Sequence, residues 1–171
     1  MSISYPYLPE GRTIKYVPAH DRFMRAAEDA CRELSTDRQH PTSAVLVKDG
    51  VVVSSAANRA VLKNSKLLAF HRKGWCVRKL LKTPSGQKYW LCPGCASSKN
   101  HAETSVMRLA IKQGIDTEGA DIYHWGHWWC CKPCWDSMIA GGIRNVYLLE
   151  ESDKLFNPKY QQNIIGKQFK F

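Results

Sequence analysis

The sequence predicts an α/β layered domain, because segments typical of strands alternate with segments typical of helices along the chain. The strand segments are short β-branched runs, whereas the helical segments repeat apolar residues every three to four positions. The chain has 171 residues, 44% of them hydrophobic, which suits one domain with a substantial core and argues against disorder. We therefore expect a single domain over residues 1–171.

The N-terminal region predicts an arm followed by a helix. Residues 1–17 show no clear period, and we expect them to be extended. Residues 18–34 repeat apolar side chains at helical spacing, and His20 or Asp21 is placed to cap the start of that helix. Cys31 lies on the apolar side of the helix, where a lone thiol is more typical of a core than of a ligand.

A β-hairpin follows. Residues 42–48 and 51–57 are β-branched runs on either side of Asp49-Gly50, a dipeptide typical of tight hairpin turns. Both runs are almost continuously apolar, which predicts a sheet covered on both faces. Asn58 follows the second strand, where a polar side chain can lie at the rim of a ligand crevice or simply form a turn.

The segment 60–100 is basic and rich in cysteine. A connection of this length inside a compact domain is usually functional or ordered by something other than a core. Cys92 and Cys95 form a C-x-x-C pair, and with His71 and Cys76 they could complete a tetrahedral structural zinc site. A reduced thiol pair packed beneath the loop is the alternative, and redox activity is a weaker third. The cations of the segment are Lys63, Lys66, Arg72, Lys73, Arg78, Lys79, Lys82, Lys88 and Lys99.

The C-terminal half continues the alternation of helices and strands. The pattern predicts a helix over 102–113 that ends at Gly114, a strand over 120–125, a helix over 133–140 and a strand over 144–150. The remaining tail is polar, and we expect a short helix in it.

Two motifs in this half have the composition of a catalytic zinc site. His101 and the pair Cys131 and Cys134 supply three ligands, and catalytic zinc sites keep their fourth position for water. A C-x-x-C pair at the start of a helix turns both sulfurs toward one point, and the N–H groups there favour thiolates. Both helices should therefore begin at the metal.

Glu103 is the expected proton carrier. It lies two residues beyond His101, about 200° away around a helix, so it should face the water rather than coordinate the metal. Zinc lowers the pKa of a bound water to about 7, and a carboxylate beside it can move the proton. A purely structural Cys₂His₂ site is the alternative, with His124 or His127 as the fourth ligand. Cys130 is a spare thiol.

The order His101-Ala102-Glu103 and then Cys131-x-x-Cys134 resembles the signature of zinc deaminases. With the run Met138–Tyr147 and an asparagine after the second strand, the chain resembles the cytidine and deoxycytidylate deaminase family over roughly residues 20–150. It is most similar to the deoxycytidylate (dCMP) branch. The resemblance implies a three-layer α/β/α cytidine-deaminase-like domain with a central mixed sheet of about five strands.

The resemblance also implies site residues. It implies one catalytic zinc, and because relatives sometimes carry a second zinc in such an insertion, it strengthens the structural zinc hypothesis for the segment 60–100. It makes Asn58 a sugar-contact candidate, with Arg59 and Ala102 as further substrate-binding candidates. The family usually has a proline where this chain has Cys130, which leaves Cys130 or Cys131 as the first cysteine ligand; the C-x-x-C spacing favours Cys131.

Three functions are consistent with these motifs. The first is hydrolytic deamination of a cytosine nucleotide, dCMP to dUMP. The second is a deaminase acting on tRNA or single-stranded DNA, for which the formal charge of +10 and the Trp128-Trp129 pair are suitable. The third is a zinc-stabilised binding module without catalysis, in which Glu103 has no role.

Partners and location follow from composition and resemblance. No apolar run reaches the ~20 residues of a transmembrane helix, and the first residues do not resemble a signal peptide. We therefore expect a cytoplasmic protein without a membrane partner. The resemblance to the dCMP branch implies a homo-oligomer and makes allosteric control by dCTP and dTTP an open expectation.

Overall fold

The structure is a computed structural model that describes residues 6–37, 39–84 and 87–169, with the backbone alone at residue 72. None of the described helices is both long and apolar enough to cross a membrane. The strands within these residues are β1 (Ile14–Val17), β2 (Ser43–Lys48), β3 (Val51–Ala57), β4 (Asp121–Trp125) and β5 (Asn145–Leu149). The helices are α1 (Arg22–Leu34), α2 (Ser65–Arg72), α3 (Val77–Leu80), α4 (Ala102–Lys112), α5 (Lys132–Ala140) and α6 (Ser152–Leu155).

The strands form one mixed sheet in the order β1-β5-β4-β2-β3. β1, β5 and β4 are parallel to one another, and β2 is antiparallel to both β4 and β3. The predicted sheet of about five strands is therefore confirmed. The turn between β2 and β3 has positive φ at both Asp49 (50°) and Gly50 (76°), the conformation that hairpin turns of this sequence adopt.

Helices cover both faces of the sheet, which confirms the three-layer α/β/α architecture. Alternate residues of β2 enter two separate cores because side chains alternate across a strand. Ala44 and Leu46 pack with α4 and α5, whereas Val45 and Val47 pack with α1. Asp21 caps α1, and its carboxylate accepts hydrogen bonds from the backbone N–H groups of residues 23 and 24 at 2.9 and 3.0 Å.

The two edges of the sheet differ in how well the sequence predicted them. The apolar run of β3 predicted cover on both faces, and this edge strand packs against both α4 and α1, with only its first residue, Val51, largely exposed at 61%. The predicted N-terminal arm contains β1, which pairs with β5 at the opposite edge, while residues 1–5 of that arm lie outside the described residues. A four-residue edge strand is too short to show a period in the sequence.

Gly126 fixes the chain after β4, and a Gly126→Ala variant should be strongly destabilised. Its φ is +92°, and an added Cβ would collide with the backbone carbonyl of Pro41. We expect the free energy of unfolding to fall by roughly 3 kcal/mol, the sum of left-handed strain and a steric clash. Denaturant unfolding measures the change.

The matched control is Gly114→Ala. Gly114 has φ +69° but open space around its ideal Cβ, so only the strain of about 1–2 kcal/mol should remain. Equal losses in the two variants would contradict the clash.

Candidate active site

Two helices begin at the same place. His101 is the N-cap of α4 and Cys131 is the N-cap of α5, and the two helices pack against each other. Neither N-cap side chain forms a capping hydrogen bond with the backbone of its own helix, so both side chains are available for other contacts. Because free backbone N–H groups collect at a helix start, the point between the two helices favours negative charge.

His101, Cys131 and Cys134 meet at this point. The Nδ1 atom of His101 lies 3.5 Å from the sulfur of Cys131 and 3.6 Å from the sulfur of Cys134, and the two sulfurs are 3.2 Å apart. Zinc bond lengths place tetrahedral ligand atoms about 3.5–3.8 Å apart. The three side chains thus fit zinc once the two sulfurs move about half an ångström further apart.

The two thiols of this group differ in pKa. The hydrogen bond between them is the main cause that lowers the pKa of Cys131 to about 6, and contact with His101 adds to it. The same hydrogen bond, together with burial, raises the pKa of Cys134. Since thiolates rather than thiols bind metals, this environment favours the ligand form of Cys131.

Glu103 lies beside the three-residue group and outside it. Its side chain is buried with those of His124 and Cys130, and one ligand-type atom of each lies within 4.8 Å of the others. Burial raises the pKa of Glu103, but the imidazoles of His124 and His101 outweigh burial and lower the pKa to about 2. Glu103 is therefore a carboxylate at neutral pH, the form that accepts a proton.

The structure shows which of the alternative ligand residues lie together. Cys131, and not Cys130, lies with His101 and Cys134. Within the described residues, neither His124 nor His127 joins this group, so the structural Cys₂His₂ alternative lacks its fourth ligand.

A cavity of about 960 Å³ opens beside these residues. His101, Glu103 and Cys131 line it, together with the aromatic rings of Trp128 and Trp129. Cations from two parts of the chain also line it: Lys73, Arg78 and Lys79 from the segment 60–100, and Lys159 and Lys167 from the tail. The arrangement is suitable for an anionic ligand with a planar group.

The predicted substrate contacts have different positions. Asn58 lines the cavity, but its side chain also accepts hydrogen bonds from Ser35 and from the Thr42 N–H and donates one to the His40 carbonyl. Among the residues that the structure describes, one amide hydrogen of Asn58 is then left for a ligand.

Arg59 and Ala102 are not among the lining residues of the cavity. Arg59 is exposed, and Ala102 is fully buried at the start of α4. Their roles, like that of Asn58, stay predictions.

The second set of predicted ligands also comes together. His71, Cys76, Cys92 and Cys95 are all buried, and their ligand atoms lie within 4.8 Å of one another. The sulfur of Cys95 is 3.5 Å from both the sulfur of Cys76 and Nε2 of His71. Three thiols and an imidazole at these distances match the donors of a Cys₃His zinc site.

Tyr89 joins this cluster to the active site. Its ring packs edge-on against the His101 ring, with centroids 5.1 Å apart, and Arg78 lies over it at 4.2 Å. The segment 60–100 therefore forms one wall of the cavity and is not remote from it. A single tyrosine in a basic segment gave no signal for this contact in the sequence.

The match to a family model agrees with the geometry of the site. A sequence model of the cytidine and deoxycytidylate deaminase zinc-binding region matches residues 18–150. No curated protein matches the chain significantly.

Several solved structures are similar to the chain. One is the apo dCMP deaminase of cyanophage S-TIM5, also solved with dCMP and dUMP, with 16% identity, a TM-score of 0.44, and coverage of 78% of this chain and 86% of the phage chain. Another comes from work on A-to-I editing by tRNA:A34 deaminases (22% identity, TM-score 0.43, coverage 74% and 75%). A third is a Thermotoga maritima diaminohydroxyphosphoribosylaminopyrimidine deaminase/5-amino-6-(5-phosphoribosylamino)uracil reductase. It has 21% identity and a TM-score of 0.43, and the match covers 74% of this chain but 28% of that protein.

Proposed function

The chain belongs to the family of cytidine and deoxycytidylate deaminases, which are zinc-dependent hydrolytic enzymes, and we propose that it converts dCMP and water to dUMP and ammonia. The observation that carries the proposal is the buried Glu103 carboxylate beside three metal-type ligands at the wall of one cavity.

In this proposal His101, Cys131 and Cys134 hold the zinc. The zinc supplies Lewis acidity that makes water a nucleophile near neutral pH. The water oxygen bonds to C4 of the cytosine, and the bond from C4 to the exocyclic amine breaks. Glu103 accepts one proton of the water and passes it to the ring nitrogen, then accepts the proton of the new hydroxyl on C4 and passes it to the amine, which leaves as ammonia.

The nucleotide specificity is supported by charge. Five cations line the cavity, and the two that stand in the tail face the same space as those of the segment 60–100. A phosphate gains from such a setting, whereas an uncharged nucleoside does not. Asn58, Arg59 and Ala102 remain the proposed substrate contacts, and for Asn58 the free amide hydrogen is the supporting feature.

Ammonia release from a panel of cytosine, cytidine, dCMP, dCTP and tRNA tests the proposal. We expect dCMP to have the highest kcat/KM and cytidine a value lower by at least tenfold. Reaction of tRNA alone would overturn the nucleotide proposal, and no turnover on any member would favour the binding module.

A second candidate is a nucleic-acid deaminase, favoured by one surface observation. The segment 60–100 carries nine cations and no acidic residue, and in it Trp75 and Trp90 are 68% and 80% exposed. Exposed aromatic rings among cations are typical of single-strand binding. Trp128 and Trp129, by contrast, pack against the apolar cores.

We also propose that His71, Cys76, Cys92 and Cys95 bind a structural zinc within the same domain. Replacing Cys92 with serine should reduce the zinc content from two ions per chain to one. The melting temperature should fall as well, because zinc binds the folded chain and its free energy of binding is lost. Elemental analysis and thermal unfolding measure both.

Cys31 provides the matched control. Cys31→Ser removes a buried thiol from α1, away from both ligand groups, and should leave both zinc ions in place. A wild-type content of one zinc per chain would overturn the second site.

The remaining proposals concern assembly and location. We propose homo-oligomers, allosteric control by dCTP and dTTP, and a cytoplasmic location. The resemblance of the chain to the family is their only support. Size-exclusion chromatography with light scattering, with and without each nucleotide, tests the first two.

A further inference from the structure

Glu103 has two unusual neighbours. Side chains alternate along β4, so Tyr123 and Trp125 enter the core under α1, while Ile122 and His124 face α4. This alternation places His124 against Glu103, with Nε2 of the imidazole 3.6 Å from the carboxylate. Both side chains are buried, at 2% and 5% exposure.

The orientation of the His124 ring is defined by a second contact. Its Nδ1 lies 2.7 Å from the backbone carbonyl oxygen of Ser43 on the adjacent strand. A carbonyl oxygen can only accept, so Nδ1 carries a hydrogen and donates it, and Nε2 donates toward the Glu103 carboxylate when the ring is the doubly protonated imidazolium. The ring is thus held with Nε2 directed at Glu103. Hydrogen bonds to a second ring nitrogen orient the histidine ligands of metal sites in the same way.

Cys130 approaches the same carboxylate from the other motif. It is fully buried, directly precedes Cys131, and its sulfur lies within 4.8 Å of a carboxylate oxygen of Glu103. In a contact between the two groups the thiol is the donor, because a carboxylate can only accept.

A glutamate with no such partners has three rotatable bonds and can leave its productive position. Proton transfer requires the carboxylate within about 0.5 Å of that position. We propose that His124 and Cys130 are positioning residues that hold the Glu103 carboxylate toward the reacting water. The inference depends on the proposed function, since Glu103 must carry the proton.

Two isosteric variants of His124 separate this role from a merely structural one. Glutamine places its amide nitrogen where Nε2 was and can still reach Glu103, whereas asparagine places it where Nδ1 was and can bond only Ser43. In the zinc-loaded enzyme we expect kcat to fall about 10–100-fold in His124→Asn. The fall in kcat should be about tenfold smaller in His124→Gln, and KM should change less than threefold in both variants. Equal or higher kcat in His124→Asn would overturn the proposal.

Cys130 has its own matched pair. Cys130→Ser keeps a donor beside Glu103, and Cys130→Ala removes it, so kcat should be about tenfold higher in the serine variant. All four variants should retain wild-type zinc content. Loss of zinc from a His124 variant would make His124 a ligand and would also overturn the proposal.

A readout independent of activity distinguishes this inference from the proposed function. In crystals of the zinc-loaded variants, the Glu103 carboxylate should keep its wild-type position in His124→Gln and move or spread over several positions in His124→Asn. An unmoved carboxylate in His124→Asn contradicts the positioning role whatever the substrate. A displaced carboxylate in a chain that deaminates no cytosine nucleotide leaves positioning supported and rejects the proposed function.

Discussion

Replacement of Glu103 by glutamine should lower kcat for dCMP by about 10²–10⁴-fold while the zinc content stays at the wild-type value. Glutamine has the same shape but cannot accept and return a proton at neutral pH. Zinc should stay because Glu103 lies outside the group of His101, Cys131 and Cys134. Ammonia release and elemental analysis on the same preparation measure the two quantities.

Glu150→Gln is the control for this prediction. Glu150 is exposed directly after β5, so the same change of charge there should leave kcat within about twofold of wild type. If Glu103→Gln retains more than a tenth of the wild-type kcat, the role of Glu103 as proton carrier is rejected. If it loses zinc, Glu103 is a ligand.

Replacement of Cys131 by serine should remove one zinc per chain and reduce deamination to background. The hydroxyl of serine is a poor zinc ligand, and the two remaining side chains, His101 and Cys134, are too few for a stable site. Because zinc binds only the folded chain, its loss should also lower the free energy of unfolding by about 4 kcal/mol at free zinc 1,000-fold above Kd. Elemental analysis, ammonia release and denaturant unfolding test each part.

The control for Cys131→Ser is Cys31→Ala, which deletes a buried thiol on the opposite face of the sheet. It should cost about 1 kcal/mol of stability through lost packing, with zinc and kcat unchanged. Full zinc content in Cys131→Ser would assign the metal to other residues.

The sequence predicted the parts of the fold that depend on neighbours along the chain. The hairpin around Asp49-Gly50 is confirmed because two residues with positive φ define a two-residue turn. The start of α1 is confirmed for a similar reason, since Asp21 bonds N–H groups only two and three residues away. Such local preferences act before any tertiary contact forms.

Other features were missed because they depend on residues far apart in the chain. β1 pairs with β5 although about 130 residues separate them, and four residues are too few for a pattern. Arg59 follows Asn58 directly but does not line the cavity, because adjacent side chains on extended backbone diverge. The cations at the cavity come instead from the segment 60–100 and the tail.

The motif residues of the candidate site were determined by the sequence alone. His101 and Cys131 begin helices, and Cys134 lies one helical turn beyond Cys131, so helix geometry alone directs these side chains outward from two helix starts. Only the tertiary structure decided which residues lie beside Glu103. Its contact with His124 requires the packing of α4 on β4, and its proximity to Cys130 requires the packing of α4 against α5; no spacing along the chain encodes such contacts.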